Sequence, residues 1–295
     1  MSNKLILATL LLPVFAFAQN DVNESESFQV SEKQINTAVE YWTPEEMEKA
    51  VPYPTPEISE EEFKALQEFP IEQAPEQIIG AEPGILGTPS RADVSSSPYN
   101  KGGKLFFTLN GNNYSCSAQF VGSTSVVMTA AHCVRATSGA WASNVVFRRA
   151  YSNGGGQAVG TRCLSTKSGW VNGGNGRYKW DYAFIKTNAN SNAGYMRLKT
   201  GIPYSQLVAI GYPSNYGNGK YMYKVTGTKG QITGGVVEMR GNPMRSGNSG
   251  GAWLGSNYAV GLNSFHYRGN NSDEWSPYFD SNTANLYQFA SNGCK

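Results

Sequence analysis

Three short stretches hold residue types that can do chemistry together: TAAHC at 129–133, WDYAFIK at 180–186 and SGNSGG at 246–251. A serine hydroxyl is a poor nucleophile until a neighbouring base takes its proton, and an imidazole base works best when a carboxylate fixes its tautomer. Ser249, His132 and Asp181 supply those three types. Between His132 and Ser249 the only acidic residues are Asp181 and Glu238. Glu238, beside Arg240 in VVEMR, reads as a solvated strand position. Asp181 opens an apolar strand, where a carboxylate is costly unless paired. The glycines around Ser249 leave room for the N–H groups of Gly247 and Ser249 to point at one spot, as an oxyanion site requires. Taken singly, SGNSGG is equally a flexible turn and His132 more often a satisfied core histidine than a catalytic one; it is their combination, in the order His, Asp, Ser, that points to nucleophilic catalysis.

The elements that must position these residues are short and β-type. Runs at 104–109, 117–122, 125–129, 144–149, 181–186, 206–211, 220–227, 234–239, 251–255 and 258–263 are separated by Gly, Asn and Ser. Many short strands with turn signals between them predict an all-β sandwich or barrel. One helix is expected near the C-terminus, at 282–290.

The chain ahead of about residue 100 has a different texture. It opens MSNKLILATLLLPVFAFAQN, with Lys4, an apolar run from Leu5 to Phe15 and Ala16-Phe17-Ala18, the pattern of a secretory signal peptide (1–18) cut after Ala18. The run is shorter than the ~20 residues of a membrane span. Residues 19–91 carry 16 Asp/Glu against 4 Lys/Arg, a net of −12, and residues 92–295 carry 19 Lys/Arg against 6 Asp/Glu, a net of +13. Within the acidic part, Ser31 to Gln34, Thr43 to Glu46 and Ser59 to Glu62 have the spacing of capping boxes and predict helices at 32–41, 44–50 and 60–68. A Pro/Gly/Ser-rich linker follows. An acidic segment ahead of a basic domain suits a pro-region (19–91) that covers residues 92–295 until it is cut away, with inhibition in trans that weakens as salt rises. Arg91-Ala92 is the expected processing site, since the charge changes sign there; Glu82 is disfavoured because Pro83 follows it.

Four cysteines, Cys116, Cys133, Cys163 and Cys294, fit an oxidising compartment and allow three pairings. No spacing is CxxC and there are two histidines, too few ligands for a metal site. No cofactor is expected.

TAAHC, DYAFI and GNSGG, in that order, resemble the chymotrypsin-like serine peptidases over most of residues 100–290. The resemblance implies two packed six-stranded β-barrels with the catalytic residues in the cleft between them: nucleophile Ser249, general base His132, orienting Asp181, and an oxyanion hole from the N–H groups of Gly247 and Ser249. It also implies a Cys116–Cys133 disulfide beside the histidine and, with it, Cys163–Cys294. GYP at 211–213, Gly230-Gln231-Ile232 and Asn248 are similar to the bacterial glutamyl endopeptidase group. Where trypsin-like enzymes have an aspartate before the serine, to pair with a new N-terminal amine, Asn248 carries no charge. Where tryptic specificity needs an aspartate six residues before the serine, the chain has Pro243. Glutamyl enzymes resemble one another in a histidine where Asn263 lies and a Thr or Ser where Met244 lies, so the group is matched only in part. The expected pocket is Pro243, Met244, Asn263 and the wall Ser264-Phe265-His266. His266 with Arg245 and Arg268 would favour Glu or Asp before the cut; the same residues equally suit the surface of a basic protein.

The expected product is thus an exported endopeptidase acting on proteins or peptides, with its own pro-region as inhibitor or folding aid. The competing reading is an inactive peptidase-fold protein whose aromatic loop GWVNGGNGRYKW (169–180) binds cell-surface carbohydrate, or whose charge binds anionic polymer. Positive charge without a nucleic-acid motif gives no specific nucleic-acid partner.

Overall fold

The computed structural model describes residues 21–68 and 87–295. The expected signal peptide and residues 69–86 of the expected linker, Glu82 among them, lie outside the described residues. Six antiparallel strands close into a first barrel in the spatial order Gly102–Leu109, Asn112–Phe120, Val126–Thr129, Ala183–Thr187, Gln157–Lys167 and Ser143–Arg149, the last pairing back onto the first. A second sheet runs Tyr258–Leu262, Ala252–Gly255, Gln206–Gly211, Tyr223–Thr233, Val236–Arg240 and Asp273–Pro277. Its two ends meet where Leu262 N–H donates to Ser276 Oγ (2.9 Å) and Ser264 N–H to the Trp275 carbonyl (3.1 Å). Leu207, Val225, Val237, Met239, Trp253 and Val260 fill this second barrel. The C-terminal helix, Ser281–Ser291, is capped by Asp280, whose carboxylate accepts from the N–H groups of Asn282 and Thr283. The Cys163–Cys294 disulfide ties the end of the chain to the strand Gln157–Lys167.

The run Gly102–Leu109 is buried at nearly every position, including the consecutive Leu105, Phe106 and Phe107. A barrel strand facing solvent would alternate. This one does not, because the N-terminal region packs against it: Trp42 lies on Phe106 (5.3 Å between ring centroids) and Tyr53 on Phe107 (5.9 Å).

That region forms helices at Glu32–Tyr41, Pro44–Lys49 and Glu60–Gln67, with reciprocal capping boxes at Ser31/Gln34 and Ser59/Glu62. At Thr43 only the forward half is made, the hydroxyl accepting from Glu46 N–H. A strand at Ser25–Gln29 adds to the first barrel alongside Cys163–Lys167. Among the described residues the opposite charges meet at Glu26 with Arg135, Glu32 with Arg162 (3.0 Å) and Glu48 with Lys220 (2.9 Å). The last two are exposed, and exposed pairs of this kind contribute about 0–1 kcal/mol each. Burial of Ile35, Trp42, Met47, Ile58 and Leu66 outweighs them, since each fully buried large apolar side chain contributes about 1.5–3 kcal/mol. The charge asymmetry therefore overstates how far salt would loosen this region.

Several expectations change here. Arg91-Ala92 is not a free linker bond: Ser90–Arg91 pairs with Tyr223 and Lys224, Ala92 is buried, and its N–H donates to the Met222 carbonyl (2.8 Å). A protease needs an extended, detachable segment, whereas this bond is held in a sheet edge. The attachment begins earlier still, at Gly87, whose N–H donates to the Gly241 carbonyl. Asp181 does not open a strand but ends the 3-10 helix Gly174–Trp180, two residues before the strand Ala183–Thr187. Glu238 is buried rather than solvated, accepting from Gln231 N–H and Arg240 Nε (both 3.0 Å). The aromatic loop 169–180 buries Trp170 and Trp180 instead of presenting them to a carbohydrate.

Candidate active site

The hub of the site is the strand Asn112–Phe120. The Cys116–Cys133 disulfide staples it to the 3-10 turn Ala131–Cys133 that carries His132. From its other residues it grips the loop that carries Ser249: Ser117 N–H donates to the Ser249 carbonyl (2.8 Å), Ser117 Oγ to the Gly247 carbonyl (2.8 Å), and Gln119 spans Gly250 O (2.9 Å) and Ala252 N–H (2.8 Å). One strand of the first barrel thus locates both His132 and a loop of the second barrel. Ser117 and Gln119 carried no signal in the sequence; polar residues in a buried strand acquire meaning only from partners far along the chain.

Glycine is required in the loop by contact as well as by oxyanion geometry. Gly250 has φ +82°, and a Cβ there would sit 2.2 Å from Thr129 Oγ1 and 2.4 Å from the Ser117 carbonyl. Gly247 has φ +87° and a Cβ would press on the Tyr212 carbonyl at 2.8 Å. L side chains disfavour such dihedrals.

Asp181, wholly buried, accepts three hydrogen bonds: from His132 N–H (2.9 Å), from His132 Nδ1–H (2.7 Å) and from Ser264 Oγ–H (2.5 Å). The carboxylate is an acceptor, so this contact assigns the proton to Nδ1 and leaves Nε2 with a free lone pair, the form a general base needs. His132 Nε2 and Ser249 Oγ are both buried and neither has a hydrogen-bond partner. Sequence reasoning placed Ser264 in the pocket wall and missed its hydroxyl's place on Asp181. Cys116, His132 and Cys133 lie together, but both sulfurs are spent in the disulfide and Nδ1 on Asp181.

The expected pocket residues divide. Pro243 is half-buried, its carbonyl accepting from Asn215 Nδ2 (2.8 Å). Met244 is packed in the core of the second barrel. Asn263 turns inward, donating to Ile210 O (2.9 Å) and Asn248 O (3.2 Å) and accepting from Asn242 Nδ2 (3.0 Å) and Trp253 Nε1 (2.8 Å). Phe265 is buried against Trp275 and Tyr178. His266 N–H donates to Pro56 O, and its Nε2 lies 3.0 Å from Glu57 Oε1. Burial, then the nearby Arg245, hold the His266 imidazole below its usual range, against the pull of Glu57, so near neutral pH this contact is a hydrogen bond from a neutral ring.

The expected cationic cluster is dispersed. Arg245 pairs with buried Glu274 (3.2 Å), and its two terminal nitrogens also donate to the carbonyls of Asn242, Met244, Asn270 and Asp273, leaving Nε without a partner. Burial pushes the Glu274 carboxyl up to about 8 despite Arg245, and its Oε1 has no partner.

Residues 116–262 match the family model of the trypsin-like peptidase domain. Among solved structures, the protease Anisep from Arthrobacter nicotinovorans is 27% identical, with a TM-score of 0.61 over 70% of this chain and 100% of its own. The thermostable serine protease AL20 from an extremophilic microorganism is 29% identical, with a TM-score of 0.59 over 65% of this chain and 97% of its own. A Glu endopeptidase, 21% identical with a TM-score of 0.59 over 69% and 96% of the two chains, shares the fold. No curated protein sequence matches the chain.

Proposed function

Residues 116–262 are a trypsin-like peptidase domain in a chymotrypsin-like fold, and on that premise we propose that the chain is an exported serine endopeptidase made as a proenzyme. The observation that carries this reading is the pairing of His132 Nδ1 with buried Asp181 while His132 Nε2 and Ser249 Oγ stay unpartnered. In the proposed reaction His132 Nε2 takes the Ser249 proton as Oγ attacks the substrate carbonyl. The N–H groups of Gly247 and Ser249 receive the negative charge that forms on its oxygen. His132 then gives the proton to the departing amine, an acyl-enzyme remains on Ser249, and water attacks it with the same base, releasing the acid. Asp181 stays ionised and holds the imidazolium.

Export is supported by the two disulfides and the N-terminal signal pattern; among the described residues no helix is long and apolar enough to cross a membrane. Maturation by a cut on the N-terminal side of Gly87 would detach the covering segment and leave the Ser90–Arg91 pairing in place. A preference for Glu or Asp before the cut rests on His266, which already holds the carboxylate of Glu57; Arg245 adds little, because its guanidinium is taken up by Glu274 and four backbone carbonyls.

Expression of the full chain, mapping of the mature N-terminus and cleavage of a peptide library test the proposal, with Ser249→Ala as control. Substitution of the nucleophile costs on the order of 10⁶ in kcat, so library cleavage should vanish. Persistent cleavage in Ser249→Ala overturns the mechanism, and cleavage mainly after Lys or Arg overturns the acidic preference.

A further inference from the structure

The segment VPYPTPEI, Val51 to Ile58, crosses the cleft from one barrel to the other. Val51–Pro52 pairs with Tyr114 and Ser115 on the hub strand of the first barrel, and Glu57–Ile58 pairs with His266 and Tyr267 of the second. Between these anchors, Tyr53 N–H donates to the Ser115 carbonyl (2.8 Å) and Gly247 N–H donates to the Tyr53 carbonyl (2.9 Å). The Tyr53 ring lies over His132 (5.5 Å between centroids, 29° between planes), and the Thr55 hydroxyl donates to Asn248 Oδ1 (3.1 Å). Tyr53 and Pro56 also help to line a cavity of about 330 Å³ beside His132, Arg135, Trp170 and Tyr178.

The N–H that the proposed mechanism assigns to the oxyanion is thus occupied by a carbonyl of the chain itself. The direction of that segment matters. The residue before the cut enters the pocket walled by Ser264–His266, so residues preceding a scissile carbonyl lie along that wall. Here the residues that follow the Tyr53 carbonyl lie there, with His266 N–H on Pro56 O (3.0 Å) and Arg268 N–H on Ile58 O (3.0 Å). The residues preceding it lie on the opposite side, at Ser115. The peptide bond after Tyr53 therefore has its nitrogen on the acyl side of the cleft. That nitrogen belongs to Pro54, and Pro52, Pro54 and Pro56 stiffen the segment in extended form, which lowers the entropy lost on docking.

We propose that Val51–Ile58 is a built-in peptide inhibitor bound in the direction opposite to a substrate, with the Tyr53 carbonyl on Gly247 N–H and no productive alignment of any bond with Ser249. The ligand class the cleft accepts in this sense is an extended peptide with alternating prolines and an acidic residue opposite His266. The proposal rests on Ser249 being the nucleophile.

The test uses the full chain before maturation and a fluorophosphonate probe that labels an activated serine. Replacing residues 52–57 by Gly/Ser of equal length should speed labelling at least about tenfold, the effect of losing roughly 1.4 kcal/mol of cover. Tyr53→Gly, which keeps the backbone path, should speed it by a smaller factor and stands in if the longer replacement does not fold. Pro54→Ala removes the proline but not the direction, so mass spectrometry should find the bond after Tyr53 intact. Cleavage between Tyr53 and the new alanine means a substrate-like direction and overturns the proposal, as does equal labelling of replaced and unaltered chains. Labelling that persists when Ser249→Ala is added to the replaced chain overturns the nucleophile assignment, and the proposal with it.

Discussion

The two sides of the cleft handle buried charge in opposite ways. On the His132 side the Asp181 carboxylate, though fully buried, receives three donors, and the atoms left without partners are Ser249 Oγ and His132 Nε2. On the pocket side Arg245 and Glu274 hold each other, Arg245 is further tied to four carbonyls, and the atoms left over are Glu274 Oε1, Arg245 Nε and His266 Nδ1. An unsatisfied buried group costs about 1–3 kcal/mol wherever it lies. In the first case the orphans are the two groups between which a proton must pass, so the cost goes into readiness to react. In the second one of the orphans belongs to a carboxyl driven towards its neutral form, and the result is a site whose charge depends on pH.

Asp181→Asn breaks the first side most directly. An amide can accept at one atom only and donates at the other, so it favours the wrong tautomer of His132, and kcat should fall by about 10⁴-fold. A fall of only a few-fold in steady-state kinetics would mean that Asp181 does not orient the base. Ser264→Ala is the finer probe. It removes one of the three donors while keeping the backbone of the pocket wall. A hydrogen bond to a charged group contributes about 1.5–3 kcal/mol, which predicts a roughly 10- to 100-fold loss in kcat. KM should stay where it is, because Ser264 acts through Asp181 as a positioning residue. A lowered melting temperature with kcat unchanged would reduce the serine to a structural role.

The same contrast explains what could be read from the chain. His132, Asp181 and Ser249 were legible because each sits among residues that make no sense as filler: a histidine after small residues, a carboxylate before an apolar run, a serine among glycines. The three N-terminal helices were legible from local caps, since a capping box is complete within four residues. The strand Gln157–Lys167 was not legible: its Ser165, Thr166 and Lys167 are buried, but their partners are Phe184 O, Arg135 and Asn23 O. The strand Asp273–Pro277 was hidden for the same reason, because the partner of its buried Glu274 is Arg245, 29 residues earlier in the chain. Nor did any local pattern mark Tyr53 as lying on His132. Prolines at every second position stiffen this segment, but what it crosses depends on both barrels.

Glu274→Gln probes the pocket side, and its expected effect is on stability rather than on rate. Burial raises the Glu274 carboxyl from 4.5 to about 8 in the folded protein. Between those values the native state holds a proton that the unfolded chain has already lost, so stability declines with rising pH. The favourable contribution is therefore complete below about pH 4.5 and gone above about pH 8. The glutamine variant keeps a group that can accept from Arg245 but has no proton to lose, so it lacks this part of the decline. Urea midpoints of the two proteins should lie close together near pH 5 and separate as pH rises to 9, the variant becoming the more stable by a few kcal/mol. Midpoints whose difference stays constant across that range would show that Glu274 remains ionised beside Arg245, and the two sides of the cleft would then handle buried charge in the same way.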